Sequence, residues 1–224
     1  ERIRDAIVQL YFETEIPFEP LIGYFYAFLS EAGFSYTNRP VRPKHFLQQG
    51  TQALPNTFDI ALVPQYFFSN EIIRFQVSDG SLVFNCTDTY PGWRLYFEQI
   101  QSVIGLLLEK QVVGSFKRVG LRYISEFPNI DILEQTNFTV ELSGLNETIT
   151  SGNFRVEWTK AQYRFIVNLA TKFPIQPLVV EVEGKASFTS LIDIDVIQEG
   201  FSTNETEVLF PIIDGIHQQQ KEQF

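Results

Sequence analysis

Apolar residues recur along this chain with two different periods, and the switches between them mark out its elements. Residues 4–13 hold a nearly continuous apolar run, Ile7, Val8, Leu10, Tyr11 and Phe12, which predicts a strand. Leu21, Tyr24, Phe25, Phe28 and Leu29 then fall at helical spacing. Pro20 sits in the first turn of that helix, where a missing N–H is harmless, and Gly33 is placed to stop it in a left-handed cap. Residues 34–56, with Pro40, Pro43, Gly50 and Pro55, read as a long loop with a short ordered piece around His45-Phe46-Leu47. From Phe58 to Thr87 the pattern predicts a β-meander. Its clearest part is a hairpin, Ile72–Ser78 and Ser81–Thr87, turned by Asp79-Gly80.

A broad helical stripe follows over residues 90–110, through Trp93, Tyr96, Phe97, Ile100, Ile104, Leu107 and Leu108, with Asp88 or Thr89 as the expected cap. Phe116–Ser125 then reads as a strand, and Phe127–Gln135 as a connection between two halves. Strands are expected near 137–143, 153–160 and 162–171, the last two joined by a tight turn at Lys160-Ala161. Residues 178–184 and 186–198 read as two strands or one bent strand. A closing helix spans 205–224, with Val208, Leu209, Ile212, Ile213 and Ile216 toward the core and Ser202, Thr203 or Asn204 as its cap.

The order of hairpins and helices predicts an α+β fold: mostly antiparallel sheet, with two or three long helices on one face. The expected division is into two α+β halves, 1–126 and 127–224, packed as one compact domain or as two small ones. Each half contains a hairpin and a long helix, as a diverged duplication would leave. Residue identity between the halves is too weak to establish one.

The stretch Phe116-Lys117-Arg118-Val119-Gly120-Leu121-Arg122-Tyr123-Ile124-Ser125 organises this picture. As a strand it sends Arg118, Gly120 and Arg122 to one face and Val119, Leu121 and Tyr123 to the other. Arg118 and Arg122 lie about 13 Å apart by strand rise, too far to grip one small anion together. Arg118, Arg122 and Tyr123 are the candidate ligand-binding residues: an arginine to meet an acidic group, a tyrosine to line an aromatic pocket. The structural alternative pairs the arginines with carboxylates, Asp193 or Asp195 among them, across the sheet. Gly120 weakens a strand unless a neighbour needs the room.

The run Arg118-Val119-Gly120-Leu121-Arg122-Tyr123-Ile124 resembles the signature of a sporadically distributed family of uncharacterised bacterial and archaeal proteins. Three other segments fit the same pattern: Ala6–Phe12, Tyr90-Pro91-Gly92-Trp93, and Ile213-Asp214-Gly215-Ile216-His217 with a terminal Phe224. Ser125 stands where the family usually has Asn. The resemblance implies one shared architecture and brings no catalytic residues with it. The family's patchy occurrence implies a stress or phage-defence setting.

Composition narrows the function classes. Of 224 residues 44% are hydrophobic and 22 are Phe, enough for a sizeable core and against disorder. The net charge of −10, with no run of three basic residues, argues against free binding to nucleic acid or an anionic membrane. A protein partner suits that charge better. One cysteine, Cys86, allows no intramolecular disulfide and no cysteine-based zinc site, which fits a reducing cytoplasm. Four Asn-x-Thr sequons, at Asn85, Asn137, Asn146 and Asn204, read as chance in that setting. No apolar run is long enough to span a bilayer. The chain opens on Glu1 and holds no methionine, so it is expected to be a piece of its translated product.

Catalytic signals are sparse. His45 and His217 have no ligand at metal spacing, and neither a nucleophile elbow nor a phosphate loop occurs. His217 reads as a surface or helix-end residue. Asp193 and Asp195 share a strand face, the residue types of acid/base chemistry, though a solvated sheet face explains them equally simply. Cys86 reads as a buried, inert thiol. The acidic segment Asp193–Glu207 is the expected docking patch for a basic partner. The leading expectation is therefore a non-enzymatic interaction or scaffold protein of the bacterial cytoplasm, without cofactor or metal. The second is a small-molecule binding module with an aromatic pocket and an arginine anchor. The third is a hydrolase built on the carboxylate pair.

Overall fold

The computed structural model describes residues 3–41, 63–136, 151–174 and 188–222. The strands expected near 137–143 and 178–184, and the order around His45, lie outside these residues. The elements are β1 (Ile3–Glu13), α1 (Phe18–Glu31), β2 (Ser35–Val41), β3 (Val63–Ser69), β4 (Ile73–Ser78), β5 (Ser81–Cys86), α2 (Trp93–Glu109), β6 (Ser115–Pro128), α3 (Ile132–Gln135), β7 (Gly152–Lys160), β8 (Tyr163–Pro174), β9 (Phe188–Thr203) and α4 (Thr206–Glu222).

The nine strands form one sheet in the order β2-β3-β4-β5-β1-β6-β9-β8-β7, every neighbouring pair antiparallel. The α+β class with a mostly antiparallel sheet is thus the observed one. β1 starts at the centre; the chain passes through α1 to the β2 edge and walks back to β1 through β3, β4 and β5. α2 leads to β6, which pairs with β1; among the described residues the chain next reaches the β7 edge, returns through β8 and β9, and leaves along α4, a similar path with one strand fewer. The expected 126/127 boundary falls inside β6. Residues 35–41, read as part of a loop, pair with β3 instead. A proline-bearing segment is tolerated in a strand at a sheet edge, where no inward ladder bond is demanded of every N–H.

One line of side chains crosses the whole sheet. The registers place Tyr36 opposite Phe68, Phe68 opposite Phe75, and Phe75 opposite Phe84. They continue through Val8, Leu121 and Val196 to Phe165 and Trp158. Every member from Phe68 to Phe165 is fully buried. Ring centroids of Phe68–Phe75 and Phe75–Phe84 lie 5.5 and 4.9 Å apart, within the range of favourable aromatic contact. α1 sets Phe25 edge-on to Phe68. α2 buries Tyr96, whose hydroxyl sits 3.0 Å from the Ala6 carbonyl and 2.8 Å from that of Phe84, so the helix is tied to both β1 and β5. α4 donates from Gln220 Nε2 to the Ile194 carbonyl of β9 at 2.9 Å.

Two glycines carry turns that side chains would strain. Gly80, at φ 68°, closes the β4–β5 hairpin as the Asp-Gly pair predicts. Gly92, at φ 89°, turns the chain into α2 and is itself the residue before the first helical turn, with no side-chain cap. That turn displaces Asp88 and Thr89, the expected caps, from the helix start. Gly120 is different. A Cβ there would meet Asp195 Oδ1 at 3.5 Å and Ile197 Cγ1 at 3.6 Å, ordinary contact distances, so no neighbour demands the missing methyl.

Two stability measurements follow from this packing. Phe84→Ala should lower unfolding free energy by about 3–5 kcal/mol in urea titrations, because it opens a cavity in mid-row. Gly120→Ala should be neutral or stabilising by up to ~1 kcal/mol, and a loss above that would show that the strand needs the gap.

Candidate functional site

β6 presents two different surfaces because its residues alternate. Arg118 and Arg122 emerge opposite the buried row. Arg122 grips Asp193 with both Nε and Nη2, each at 2.7 Å, and Asn168 donates to the same carboxylate at 3.0 Å. Donating to Asp193 raises the pKa of Arg122, outweighing the effect of burial. Arg118 lies 3.6 Å from Glu199 and stacks over the Tyr11 ring at 4.7 Å. Asp195 faces the same way. Burial raises its pKa, against the pull of Arg122 and Arg118.

Tyr123 points the other way, into a cavity of about 420 Å³. Ile3 of β1, Tyr123 and Ser125 of β6 and Ile194 of β9 form its sheet wall; Tyr90 and Trp93 close it from the start of α2, and His217, Gln220 and Lys221 from α4. Its volume is in the usual range for small-ligand sites. Three segments singled out in the sequence meet here: Tyr90–Trp93, the Arg118–Ile124 strand and the Ile213–His217 helix.

The polar groups of the cavity form a chain. The Tyr90 and Tyr123 hydroxyls are 2.9 Å apart, and the Tyr123 hydroxyl is 3.1 Å from His217 Nδ1. Burial raises the pKa of Tyr123, keeping its proton in place. Burial also lowers His217 to about 4, against the pull of Asp214, so the imidazole is neutral near pH 7. Trp93 locks the arrangement. Its indole donates to Asp214 at 2.8 Å and lies between Phe97 and His217, at centroid distances of 4.9 and 4.2 Å and nearly parallel to both. Gln220 is 2% exposed, and its Oε1 is buried without a hydrogen-bond partner. Such an acceptor costs about 1–3 kcal/mol when nothing meets it.

Of the three residues singled out for ligand binding, Tyr123 lines this cavity, while Arg118 and Arg122 sit beside carboxylates across the sheet. His217, read as a surface or helix-end residue, is 7% exposed. The buried stripe of α4 runs Leu209, Ile213, Ile216, His217, Gln220, whereas Val208 is exposed. Extending the stripe from Leu209 by helical steps reaches both His217 and Gln220, and a histidine and a glutamine on a core stripe are the signal that the sequence reading missed. Asp193 and Asp195 lie on the far side of the sheet from His217. A hydrolase using all three would need hydrogen-bond reach that the sheet denies. Cys86 is buried, and burial pushes its thiol up to about 12, which suppresses the reactive thiolate.

Among the described residues no group of three or more His, Cys, Asp or Glu side chains could hold a metal ion, and no helix is long and apolar enough to cross a membrane. Fold and site together define an α+β protein with a nine-stranded antiparallel sheet and an aromatic cavity at one end of its central strands. Comparison with family models, with curated proteins and with solved structures gives no match.

The buried imidazole makes stability depend on pH. Its folded pKa lies below the ordinary value of 6.5, so the unfolded chain binds more protons between the two values. Its contribution is complete above pH 6.5 and is lost as pH falls toward 4. At pH 5 the loss should be roughly 2 kcal/mol. Urea unfolding at pH 7.5 and pH 5 should show His217→Phe losing about that much less than the unmodified chain. Equal losses would place the imidazole in water.

Proposed function

We propose that this protein is a small-molecule binding module, and that the cavity between β6, α2 and α4 holds the ligand. The observation that carries this reading is a near-fully buried glutamine oxygen, left without a donor, on the wall of an aromatic cavity. Buried polar groups are ordinarily satisfied, and one that is not marks a place where something else supplies the bond. Tyr123 is the ligand-binding residue of the signature strand. The arginine anchor moves out of the reading, because both arginines lie on the opposite face.

The resemblance to the sporadically distributed bacterial and archaeal family is part of this proposal. Its support is that three of the four resembling segments meet at one cavity. The similar strand paths support a duplicated origin for the two halves, and the contacts of α1, α2 and α4 with one sheet face support a single helical layer. A bacterial cytoplasmic setting with a stress or phage-defence role rests on the resemblance alone.

An interaction or scaffold role is the second reading. Tyr24 and Tyr26 of α1, 47% and 54% exposed, favour it as separate aromatic contacts for a protein partner, since residues two apart on a helix do not share a face. The acidic segment favours it less. Asp193 is bound by Arg122 and Glu199 lies beside Arg118, so part of the charge expected to attract a basic partner is already neutralised.

The chain has two tryptophans, and Trp93 lies at the cavity. In a Trp158→Phe background, emission therefore reports on the site alone. An aromatic fragment library should yield compounds that quench Trp93 and raise the melting temperature, and both effects should vanish in Ser125→Leu, which narrows the cavity. Hits unchanged in Ser125→Leu would place binding elsewhere.

A further inference from the structure

Resting on that reading, we infer that the ligand is an uncharged planar heterocycle whose buried edge is a cyclic amide, a carbonyl beside an N–H. Two side chains of α4 set this requirement. Gln220 offers Oε1, which can only accept. Its Nε2 is held by the Ile194 carbonyl at 2.9 Å, which settles which end of the amide is the oxygen. Gln220 is among the residues that line the cavity. His217 engages Tyr123 through Nδ1, and no hydrogen bond to its Nε2 occurs among the described residues. Where the Tyr123 hydroxyl donates to Nδ1, the proton of the neutral imidazole sits on Nε2, which then donates.

The two groups are three residues apart on one helix, so they are neighbours on one face, with Cβ atoms about 5–6 Å apart. An acceptor and a donor on adjacent atoms of a ring can meet two such neighbours at once. An ether or a ketone can only accept, and leaves the Gln220 oxygen unmet. A carboxylate edge fails at Gln220, because two acceptors would face each other. Lys221, an exposed cation on the rim, offers the only positive charge among the lining residues and lies outside the buried part. The walls, Tyr90, Trp93, Tyr123, Ile3 and Ile194, are flat or aliphatic and suit the faces of a ring. A cavity of about 420 Å³ admits one bicyclic system.

The test compares four bicyclic probes of nearly equal size: 2-quinolinone, its N-methyl derivative, quinoline and 2-naphthoate. Binding to the full chain, and in parallel to Gln220→Met, is followed by two-dimensional NMR of the Trp93 indole N–H, which lies at the same cavity. The expected result is a dissociation constant for 2-quinolinone at least tenfold below those of the other three, with the preference abolished in Gln220→Met. Equal binding of the N-methyl derivative or quinoline overturns the cyclic-amide edge and leaves the aromatic pocket standing. Tightest binding of 2-naphthoate overturns it in favour of an anion met by Lys221. Shifts from none of the four overturn both the edge and the pocket.

Discussion

The transverse row from Tyr36 to Trp158 is the constraint on which the rest of this structure depends. It takes one residue from each of the nine strands, and each sits opposite the next. Slipping any strand by one residue would send its member to the other face and leave a gap in a close-packed line. The row therefore holds eight strand pairings in register at once, and α1 sets Phe25 against its Phe68. Its centre is aliphatic, Val8, Leu121 and Val196, and its flanks are aromatic, so the bulk of the core lies beside the two central strands.

The same alternation gives β6 two roles. Leu121 belongs to the row, Tyr123 to the cavity wall, and Arg122 between them to the opposite face. The Arg122–Asp193 pair is bidentate but half-exposed, so its worth to stability is modest, on the order of 1 kcal/mol. Its geometric effect is larger. Arg122 stands directly opposite Asp195 yet bonds diagonally to Asp193, which leaves Asp195 desolvated and without a hydrogen bond of its own among the described residues. The arginines that looked like anchors in the sequence thus tie β6 to β9 and do not meet the cavity.

The cavity exists because three separate parts of the chain converge on the end of β6. The left-handed turn at Gly92 drops Trp93 onto α4, and the indole then fixes His217 by stacking and Asp214 by a hydrogen bond. With the imidazole held by Trp93 on one side and Tyr123 at Nδ1, the polar chain is tied to both α2 and β6.

The hydrophobic pattern alone determined the central strands, the Asp79-Gly80 hairpin, the tight turn at Lys160-Ala161, the helices near 18–31, 93–109 and 206–222, and hence the α+β class. These are local matters of period and turn chemistry, legible within a dozen residues. It also determined that Arg122 and Tyr123 face opposite ways. Only the tertiary structure decided that β2 is a strand, since edge pairing with β3 overrides the poor propensity of Pro40. Only it decided that His217 and Gln220 are buried, because the core stripe of α4 is set by where the helix lands on β6 and β9. Trp93 meeting His217 across more than a hundred residues of chain is a consequence of the sheet order, and no periodicity within either helix carries that information.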